Sequence, residues 1–289
     1  MRVLLTGATG LLGRWIVHCW RPDDGTLIPT NSRGGTLGPH PCLALDLTDA
    51  AQVQLALDQS NPDLILHAAA ISKPEAARRD PALAWHVNVR GTSLLALWCR
   101  HHNRRILLTS TDLVFDGQRG NYSEDASPSP IVEYARTKLA AEALVRDTPG
   151  GLVARVCLLY GPSLGGPPTF FDQALADLRQ GRPRAFFADE FRTPLDLPTA
   201  ARALIDLAHS DVAGTLHLAG PERVSRFELF RRLAPVLGYD ANLVQPGRLA
   251  DLPSPEPRPA DVSLCSLRLS QILPELHRPP IEEAASRWT

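Results

Sequence analysis

A glycine-rich turn near the start of the chain constrains the fold most strongly. The run Thr6-Gly7-Ala8-Thr9-Gly10-Leu11-Leu12-Gly13 lies between a short apolar segment, Val3–Thr6, and a segment of helical period, Leu11–Trp20. Glycines let a chain turn tightly and approach a pyrophosphate, and the first backbone N–H groups of a helix are unpaired donors at its positive end. The run therefore predicts a dinucleotide-binding turn that opens a βαβ unit.

The spacing of these glycines leaves one alternative. Gly7, Gly10 and Gly13 follow the pattern GxxGxxG rather than GxGxxG. A turn that merely lets a helix and a strand pack closely would also use glycines. Because the position, the flanking elements and the spacing agree, we predict cofactor contacts. The predicted contact residues of the turn are Gly7, Thr9, Gly10, Leu11 and Leu12.

The rest of the chain continues the alternation of short apolar runs and longer helical segments. This alternation is typical of a parallel sheet covered by helices. The predicted strands are Val3–Thr6, Thr26–Thr30, Leu43–Leu45, Leu64–Ala68, Arg105–Thr109 and Leu152–Leu159. The predicted helices include Leu11–Trp20 and Pro81–Arg100. We therefore predict an α/β fold, a Rossmann-type doubly wound parallel sheet with a smaller C-terminal substrate lobe.

A Gly/Pro-rich stretch, Ser163–Pro168, marks the predicted boundary between two lobes. Residues 1–160 are predicted to form the dinucleotide-binding Rossmann domain, and residues 161–289 mainly the substrate-binding lobe. Within the second part, about residues 192–218 are expected to pack back on the first domain. The proline-dense stretch Pro253–Pro259 predicts an ordered or semi-rigid loop.

Composition excludes several classes of protein. The chain has 289 residues, 44% of them hydrophobic and 21% charged, which is ordinary for a globular protein. A formal net charge of −1 argues against nucleic acid or an anionic membrane as the main partner. The five cysteines form no CxxC pair or Cys/His cluster, so no metal site is predicted. Without a signal-peptide core or a long apolar run, the expected location is the cytoplasm. A homodimer remains an open alternative.

The end of the second predicted strand bears on which dinucleotide binds. An Asp or Glu at this point would bond the adenosine ribose hydroxyl of NAD, but the chain has Thr30-Asn31-Ser32-Arg33. Arg33 can instead hold a ribose 2′-phosphate through charge-assisted hydrogen bonds. We therefore predict NADP(H) as the preferred cofactor, with NAD(H) as the alternative. A solvated loop arginine is the competing interpretation of Arg33.

Two further segments are expected beside the cofactor. Asp46-Leu47 follows the third predicted strand and is predicted to contact the adenine, although Asp46 would also make a good helix N-cap. Ala68, Ala69 and Ala70 end the fourth predicted strand, where small residues leave room for a cofactor at the sheet edge. His67, just before them, is given no catalytic role.

Tyr134 and Lys138 form the chemical centre of the prediction. Residues four apart share one helical face, so both side chains can meet the same ligand. A surface pair is the alternative interpretation, but the hydroxyl cluster that ends at Thr111 follows a strand whose carboxyl end opens on the same sheet edge. A cationic Lys138 would lower the pKa of Tyr134, and Thr111 would bond the substrate carbonyl. We predict Thr111, Tyr134 and Lys138 as the catalytic set, with Tyr134 and Lys138 also contacting the cofactor.

These features together resemble the extended short-chain dehydrogenase/reductase superfamily and, within it, the dTDP-4-dehydrorhamnose reductase family. The resemblance covers nearly the whole chain, and its most specific element is the Ser-Thr-Asp-x-Val-Phe-x-Gly run. The motifs that carry it are Thr6–Gly13, His67–Ala70, Asn88–Thr92, Ser110–Gly117, Tyr134–Lys138, Arg192–Pro194 and Arg258-Pro259.

The resemblance implies hydride transfer from the nicotinamide to a keto group of a nucleotide-linked 6-deoxy sugar, with Tyr134 protonating the alkoxide. It also implies that Asn88 orients the backbone around the site. Dehydratase relatives follow the threonine with Asp-Glu, whereas this chain has Asp112-Leu113. Without the second carboxylate, ketone reduction is favoured over dehydration.

Substrate recognition is less defined by the sequence. Arg192 or Arg258 could meet the substrate pyrophosphate, and Arg192 is the predicted substrate contact beside Thr111. An ion pair that bridges the lobes is the alternative for each arginine. Two other functions stay open: a non-catalytic dinucleotide-binding subunit, as in the related beta subunit of methionine adenosyltransferase, and an epimerase.

Overall fold

The computed structural model describes residues 1–251 and 255–288, so Pro253 and Ser254 of the predicted proline-dense loop lie outside the described residues. The strands are β1 Arg2–Thr6, β2 Thr26–Asn31, β3 Gly35–Leu37, β4 His40–Ala44, β5 Leu64–His67, β6 Arg105–Thr111, β7 Leu152–Val156, β8 Leu159–Tyr160, β9 Arg184–Phe187, β10 Phe191–Arg192, β11 Leu195–Asp196, β12 Gly214–Leu218, β13 Val224–Ser225 and β14 Val244–Gly247.

Helices separate most of these strands. The α-helices are α1 Leu11–Cys19, α2 Ala50–Ser60, α3 Pro74–Arg79, α4 Pro81–Trp85, α5 Thr92–His101, α6 Glu133–Arg146, α7 Phe170–Arg179, α8 Leu197–Ala208, α9 Arg226–Val236, α10 Leu267–Ile272 and α11 Ile281–Ser286. Short 3-10 helices are Pro22–Asp24, Asp112–Val114, Ala241–Leu243 and Leu249–Asp251, and a π-helix is His86–Gly91.

An eight-stranded sheet organises the fold. Its strand order is β12-β7-β6-β5-β1-β2-β4-β3, and every pair is parallel except β3 with β4. The order reverses at β1, which pairs with β2 on one side and with β5 on the other. Such a reversal opens a crevice at the carboxyl ends of the strands, where ligands of doubly wound folds bind. The predicted fold class is confirmed.

Helices cover both faces of this sheet, which explains why its strands are apolar along their whole length. Alternate residues of neighbouring strands enter two separate cores. Leu5, Leu66 and Leu107 pack on one face, where α1 and α8 lie against each other. Leu4, Ile65 and Ile106 pack on the other face with residues of α2, α5 and α6. The sheet is therefore held rigid on both sides, and its edge of strand ends stays open.

A third apolar cluster lies in the C-terminal part of the chain. It joins α7, α9 and α11 to β9 and β14, and the rings of Phe186 and Phe230 stack at 4.0 Å between centroids. Residues between β11 and β12 belong elsewhere, because α8 packs on α1 and β12 pairs with β7 in the large sheet. The division of the chain at residue 160 stays a prediction.

Several predicted bounds differ from the structure. The predicted strand Leu152–Leu159 is interrupted: β7 ends at Val156, and Leu159 pairs with Leu195 outside the large sheet. The predicted helix Pro81–Arg100 contains the π-helix His86–Gly91. Within it, a Cβ on Gly91 would lie 2.7 Å from the Cβ of Leu47, so glycine is needed for this close approach. No helix in the described part of the chain is long and apolar enough to cross a membrane.

A buried ion pair ties helix α6 to the centre of the sheet. Glu142 is fully buried and accepts hydrogen bonds from the Ser110 hydroxyl of β6 at 2.6 Å and from Arg155 of β7 at 3.0 and 2.8 Å. The half-exposed Arg146 bonds the same carboxylate at 3.0 Å. Desolvated charges of this kind are stable only as complete pairs. The position of α6 against β6 and β7 thus depends on Glu142.

We expect Glu142→Gln to lower the free energy of unfolding by about 3–5 kcal/mol, because it leaves the buried guanidinium of Arg155 without a counter-charge. Urea denaturation measures this loss. The matched control is Glu133→Gln on the same helix, whose partner Arg136 is half exposed, and its effect should stay within about 1 kcal/mol. Equal effects of the two substitutions would contradict the role of the buried pair.

Candidate active site

A cavity of about 820 Å³ lies at the carboxyl ends of the parallel strands, where the strand order reverses. Its walls come from the loops after β1, β2, β4 and β5, from the end of β6 and from α6. All residues predicted to contact the cofactor line it: Gly7, Thr9, Gly10, Leu11, Leu12, Arg33, Asp46, Leu47, Ala68, Ala69, Ala70, Tyr134 and Lys138. The structure therefore brings distant parts of the sequence to one site.

The glycine turn forms the floor of this cavity. Gly7 has a φ of 69°, and a Cβ there would lie 2.7 Å from the Cα of Ala69. A Cβ on Gly13 would lie 2.8 Å from the Cα of Ala8. Gly10 is the N-cap of α1 and provides no side chain to bond the first N–H groups of the helix. The turn therefore offers free backbone donors at a positive helix end, which suits a pyrophosphate.

Arg33 lies at the end of the cavity beyond β2. It is exposed, and its backbone N–H donates to the Asn31 side chain at 2.8 Å. The Asn31 amide in turn donates to the carbonyl oxygen of Gly34 at 3.2 Å, which closes a tight turn around Arg33. The guanidinium forms no ion pair within residues 1–251 and 255–288, so it is available to a phosphate.

Asp46 lines the cavity but does not cap a helix. Its carboxylate accepts hydrogen bonds from the backbone and hydroxyl of Thr48 at 2.9 and 2.8 Å, which lower its pKa. The N-cap of α2 is Asp49, which bonds the N–H groups of Ala51 and Gln52 at 3.0 and 3.1 Å. The alternative N-cap role for Asp46 was therefore wrong, because the helix begins one turn later. Its contact with adenine stays a prediction.

His67 supports the site from inside the sheet. It is fully buried, with Nδ1 2.7 Å from the Thr6 hydroxyl and Nε2 2.9 Å from the Thr92 hydroxyl. Burial lowers its pKa to about 3, so the ring is neutral at physiological pH. Thr6 also accepts a hydrogen bond from the Ala69 backbone at 3.1 Å. His67 thus fixes the strand ends of β1 and β5.

Asn88 has a comparable supporting place in the π-helix. Its side chain accepts from the backbone N–H of Ile71 at 2.8 Å and donates to the Ile71 carbonyl at 3.2 Å. It also donates to the Thr137 hydroxyl of α6 at 2.9 Å. Asn88 therefore joins the cavity wall at Ile71 to the helix that carries Tyr134, in line with the orienting role that the family resemblance implies.

Tyr134 and Lys138 meet the cavity from helix α6. Lys138 is 2% exposed, and no hydrogen bond or ion pair within the described residues involves its amine. Burial lowers its pKa to about 8, against the opposing influence of Glu142. The ammonium therefore persists at neutral pH and has its donors available for a ligand.

The proton affinity of Tyr134 differs from the sequence-based expectation. Burial and then the negative charge of Asp112 raise the pKa of Tyr134 above its ordinary value, and the Thr111 side chain opposes them. The expectation of a lowered pKa was wrong for this structure, because desolvation of the phenolate and the nearby carboxylate both favour the protonated form.

Thr111 lies behind the cavity wall rather than on it. It is buried at the carboxyl end of β6, donates its hydroxyl proton to Asp112 at 3.1 Å and accepts from the Leu113 backbone at 3.2 Å. Its neighbour Ser110 does line the cavity. The catalytic and substrate-binding roles of Thr111 stay predictions, and its hydroxyl would have to turn away from Asp112 to reach a substrate.

Arg192 also lies away from the cavity. It is 4% exposed, pairs with Glu190 at 2.7 Å and has its Nε 3.5 Å from the Oδ2 of Asp112. The second candidate, Arg258, has its guanidinium 5.4 Å above the Phe187 ring. The contact of Arg192 with substrate stays a prediction, and the structure gives this arginine buried acidic partners instead.

Some cavity residues were missed in the sequence. Ile71 and Ser72 continue the chain beyond the three alanines, Val156 ends β7, and Leu159 begins β8. Parallel strand order could have indicated the latter two, because β7 neighbours β6. Within the described ranges, no group of three or more His, Cys, Asp or Glu side chains is placed to hold a metal ion.

Comparison with known proteins agrees with this geometry. A family model described as the RmlD substrate binding domain matches residues 1–287. The chain belongs to this family. The membership confirms the resemblance inferred from the motifs and the predicted class of protein, an NAD(P)-dependent oxidoreductase.

Individual relatives give further detail. The probable low-salt glycan biosynthesis reductase Agl14 of Haloferax volcanii is 32% identical over 90% of this chain and 88% of its own length. Methionine adenosyltransferase 2 subunit beta of Xenopus tropicalis is 29% identical, covering 94% of this chain and 82% of its own. The dTDP-4-dehydrorhamnose reductase of Bacillus anthracis, solved in complex with NADP, has a TM-score of 0.87 and 25% identity over 99% of this chain and 97% of that one. NADP in that structure agrees with the predicted cofactor preference.

We expect Gly13→Ala to weaken NADPH binding at least about tenfold and to lower stability by about 1–3 kcal/mol, since the new methyl group meets the backbone of the turn. Fluorescence titration with NADPH and urea denaturation measure the two effects. Gly247→Ala is the control, because its Cβ would meet the Ala185 side chain at an ordinary 3.4 Å. Unchanged NADPH binding in Gly13→Ala would contradict the assignment of the turn.

Proposed function

We propose that this protein is an NADPH-dependent reductase of a keto group on a nucleotide-linked sugar, with Tyr134 as the proton donor. The observation that carries the proposal is that Tyr134 and Lys138 line the same cavity as the glycine turn. A hydride donor bound on that turn and a proton donor on α6 would reach the same carbonyl group. Reduction of a ketone requires these two deliveries.

The residues of the cavity fit NADPH. The uncapped start of α1 suits the pyrophosphate, and the exposed Arg33 suits a ribose 2′-phosphate. The amine of Lys138 can donate to the hydroxyl groups of the nicotinamide ribose. When bound, the cofactor supplies a hydride. The other requirements of the reaction fall to the side chains of this chain.

Tyr134 would donate its phenolic proton to the oxygen of the reduced carbonyl. Its high proton affinity keeps it protonated at neutral pH, so it starts each cycle as an acid. Lys138 retains its charge at neutral pH and would favour the phenolate that forms after the transfer. Thr111 would contribute a hydrogen bond to the same oxygen after turning from Asp112.

The neighbourhood of Tyr134 also favours reduction over dehydration. Leu113 stands where dehydratase relatives carry a glutamate, and it packs with Ile71, Ala77 and Ala84 against Tyr134. An apolar side chain in an apolar cluster cannot remove a proton beside the carbonyl. The ring of Tyr134 is thus in contact with uncharged, apolar side chains where it faces Leu113.

A nucleotide-linked sugar is the substrate class that the relatives favour. One is named as a reductase of glycan biosynthesis and another as dTDP-4-dehydrorhamnose reductase. The similarity to the beta subunit of methionine adenosyltransferase supports a second candidate function, a non-catalytic dinucleotide-binding subunit. Turnover of a keto sugar distinguishes the two. An epimerase would instead return the cofactor to its starting state.

Tyr134→Phe should reduce turnover by at least about 100-fold, because the proton donor is lost while the ring is kept. NADPH oxidation with a panel of nucleotide-linked 4-keto-6-deoxy sugars measures turnover. NADPH affinity should change little. The control is Tyr239→Phe in the C-terminal part of the chain, which should keep full activity. Undiminished turnover in Tyr134→Phe would refute the acid role.

Arg33→Ala should raise the KM for NADPH about tenfold and leave that for NADH nearly unchanged, because only NADPH carries the 2′-phosphate. Steady-state kinetics with both cofactors measure the ratio. Arg179→Ala, an exposed arginine on α7, serves as the control for lost surface charge. Parallel changes for both cofactors would show that Arg33 does not select between them.

A further inference from the structure

Arg14 contacts the glycine turn from outside the cofactor cavity. It lies one turn into α1, and its half-buried side chain returns to the start of the helix, where Nε donates to the Thr9 carbonyl oxygen at 2.9 Å. Side chains of a helix point towards its N-terminus, which makes this contact possible. Thr9 itself lines the cavity. The guanidinium of Arg14 therefore lies next to the turn that suits a pyrophosphate.

The segment Ser163–Pro168 holds this guanidinium in place from the other side. Nη1 of Arg14 donates to the Leu164 carbonyl oxygen at 3.2 Å. Gly166 has a φ of 89°, and a Cβ there would lie 3.4 Å from Nε of Arg14, so the backbone packs closely on the guanidinium. Arg14 is thus fixed between the segment and Thr9.

Neighbouring contacts fix the segment itself. The Trp15 indole donates to the Pro162 carbonyl oxygen at 3.0 Å, which attaches the chain to α1 just before the segment begins. The backbone N–H of Ser163 donates to the Asp172 carboxylate of α7 at 3.2 Å. The side chain of Leu164 packs against the apolar core that contains α1 and α8. The segment is therefore a firm support for the Arg14 guanidinium.

The charge of Arg14 has no acidic partner. Both of its hydrogen-bond acceptors are neutral carbonyl oxygens, and it forms no ion pair within residues 1–251 and 255–288. Its Nη2 group forms no hydrogen bond in the same part of the chain. The first turn of α1 has no acidic residue and no side-chain cap. A cation at the positive end of a helix is unfavourable by itself, and a bound anion would compensate both charges.

The charged side chains that line the cavity leave its centre without a cation. Among the described residues they are Arg33, Asp46 and Lys138. Arg33 follows β2, Lys138 lies on α6 beside β6, and the strand order places β1 between β2 and β6. The glycine turn after β1 therefore lies between the two cations. A pyrophosphate bound there carries about two negative charges, and Arg14 is the arginine attached to that turn.

We propose that Arg14 provides the counter-charge for the cofactor pyrophosphate and so increases the affinity for the dinucleotide. Its unused N–H groups are donors for phosphate oxygens, directly or through one water molecule. Arg33 acts on the 2′-phosphate of NADPH alone, whereas Arg14 acts on a group that NADPH and NADH share. The proposal deepens the proposed function and rests on it for the identity of the ligand.

The first test is Arg14→Gln, which removes the charge and keeps an amide donor for the two carbonyl oxygens. We expect the Kd values for NADPH and NADH each to rise about fivefold, measured by fluorescence titration without substrate. The loss should shrink as NaCl is added, because salt screens a charge–charge interaction. Arg14→Lys keeps the charge and should recover most of the affinity.

Two comparisons show whether the effect belongs to the pyrophosphate. Arg21→Gln makes the same charge change at the exposed far end of α1 and should alter neither Kd. A loss confined to NADPH in Arg14→Gln, as expected for Arg33→Ala, would move Arg14 to the 2′-phosphate and overturn the proposal. So would unchanged Kd values in the folded variant. A loss that ignores salt and persists in Arg14→Lys would reduce Arg14 to a structural role.

The second test needs no variant. A crystal structure with NADP⁺ bound should show the Arg14 guanidinium in contact with pyrophosphate oxygens, directly or through one water molecule. A guanidinium without such a contact would contradict the proposal.

Both tests follow cofactor binding, so their outcomes are separate from those of the proposed function. Binding that depends on Arg14 without turnover of any keto sugar would support the proposal and reject the reductase function in favour of a dinucleotide-binding subunit. Turnover of a keto sugar with binding that does not depend on Arg14 would do the reverse.

Discussion

The close approach of two backbone segments sets the geometry of the whole site. The turn after β1 meets the chain after β5 so tightly that a Cβ on Gly7 would lie 2.7 Å from the Cα of Ala69. Parallel pairing of β1 with β5 brings the segments together, and the Thr6 hydroxyl locks them by accepting from the Ala69 backbone. The cavity floor is thus a property of the backbone. Side chains from later elements only complete its walls.

Buried charge is the second constraint, and it acts on both sides of β6. Ser110 turns towards Glu142, which pairs with Arg155, whereas Thr111 bonds Asp112, which pairs with Arg192. Consecutive residues of a strand point to opposite faces, so each ion pair contacts β6 from a different face. Pairs of this kind are expensive to break once one partner is removed. They therefore hold the strand end and α6 in a fixed relation, which proton transfer requires.

Local patterns in the sequence predicted the site well, whereas long-range electrostatics escaped them. The glycine turn, the three alanines and the Tyr134/Lys138 pair are each readable from a few adjacent residues, and all line the cavity. The pKa of Tyr134 is raised by burial and then by the charge of Asp112, which comes 22 residues earlier in the chain, and both influences arise only on folding. Arg192 is similar, because its partner Asp112 lies on a different part of the chain. The π-helix within the predicted helix Pro81–Arg100 was missed for a related reason. Its residue Asn88 is held by Ile71 and Thr137, and spacing alone gives no sign of these contacts.

The environments of Tyr134 and Lys138 push their proton affinities in opposite directions. Burial raises the pKa of the phenol and lowers that of the amine to about 8, because desolvation penalises whichever form is charged. When the environment shifts the pKa values of two neighbouring groups in opposite directions, the groups have distinct roles, one holding a proton and the other holding a charge. At neutral pH the tyrosine is a neutral acid beside a cation that favours its conjugate base. Under the proposed function, such a site would give a proton to a carbonyl oxygen, which is the requirement of reduction rather than of oxidation.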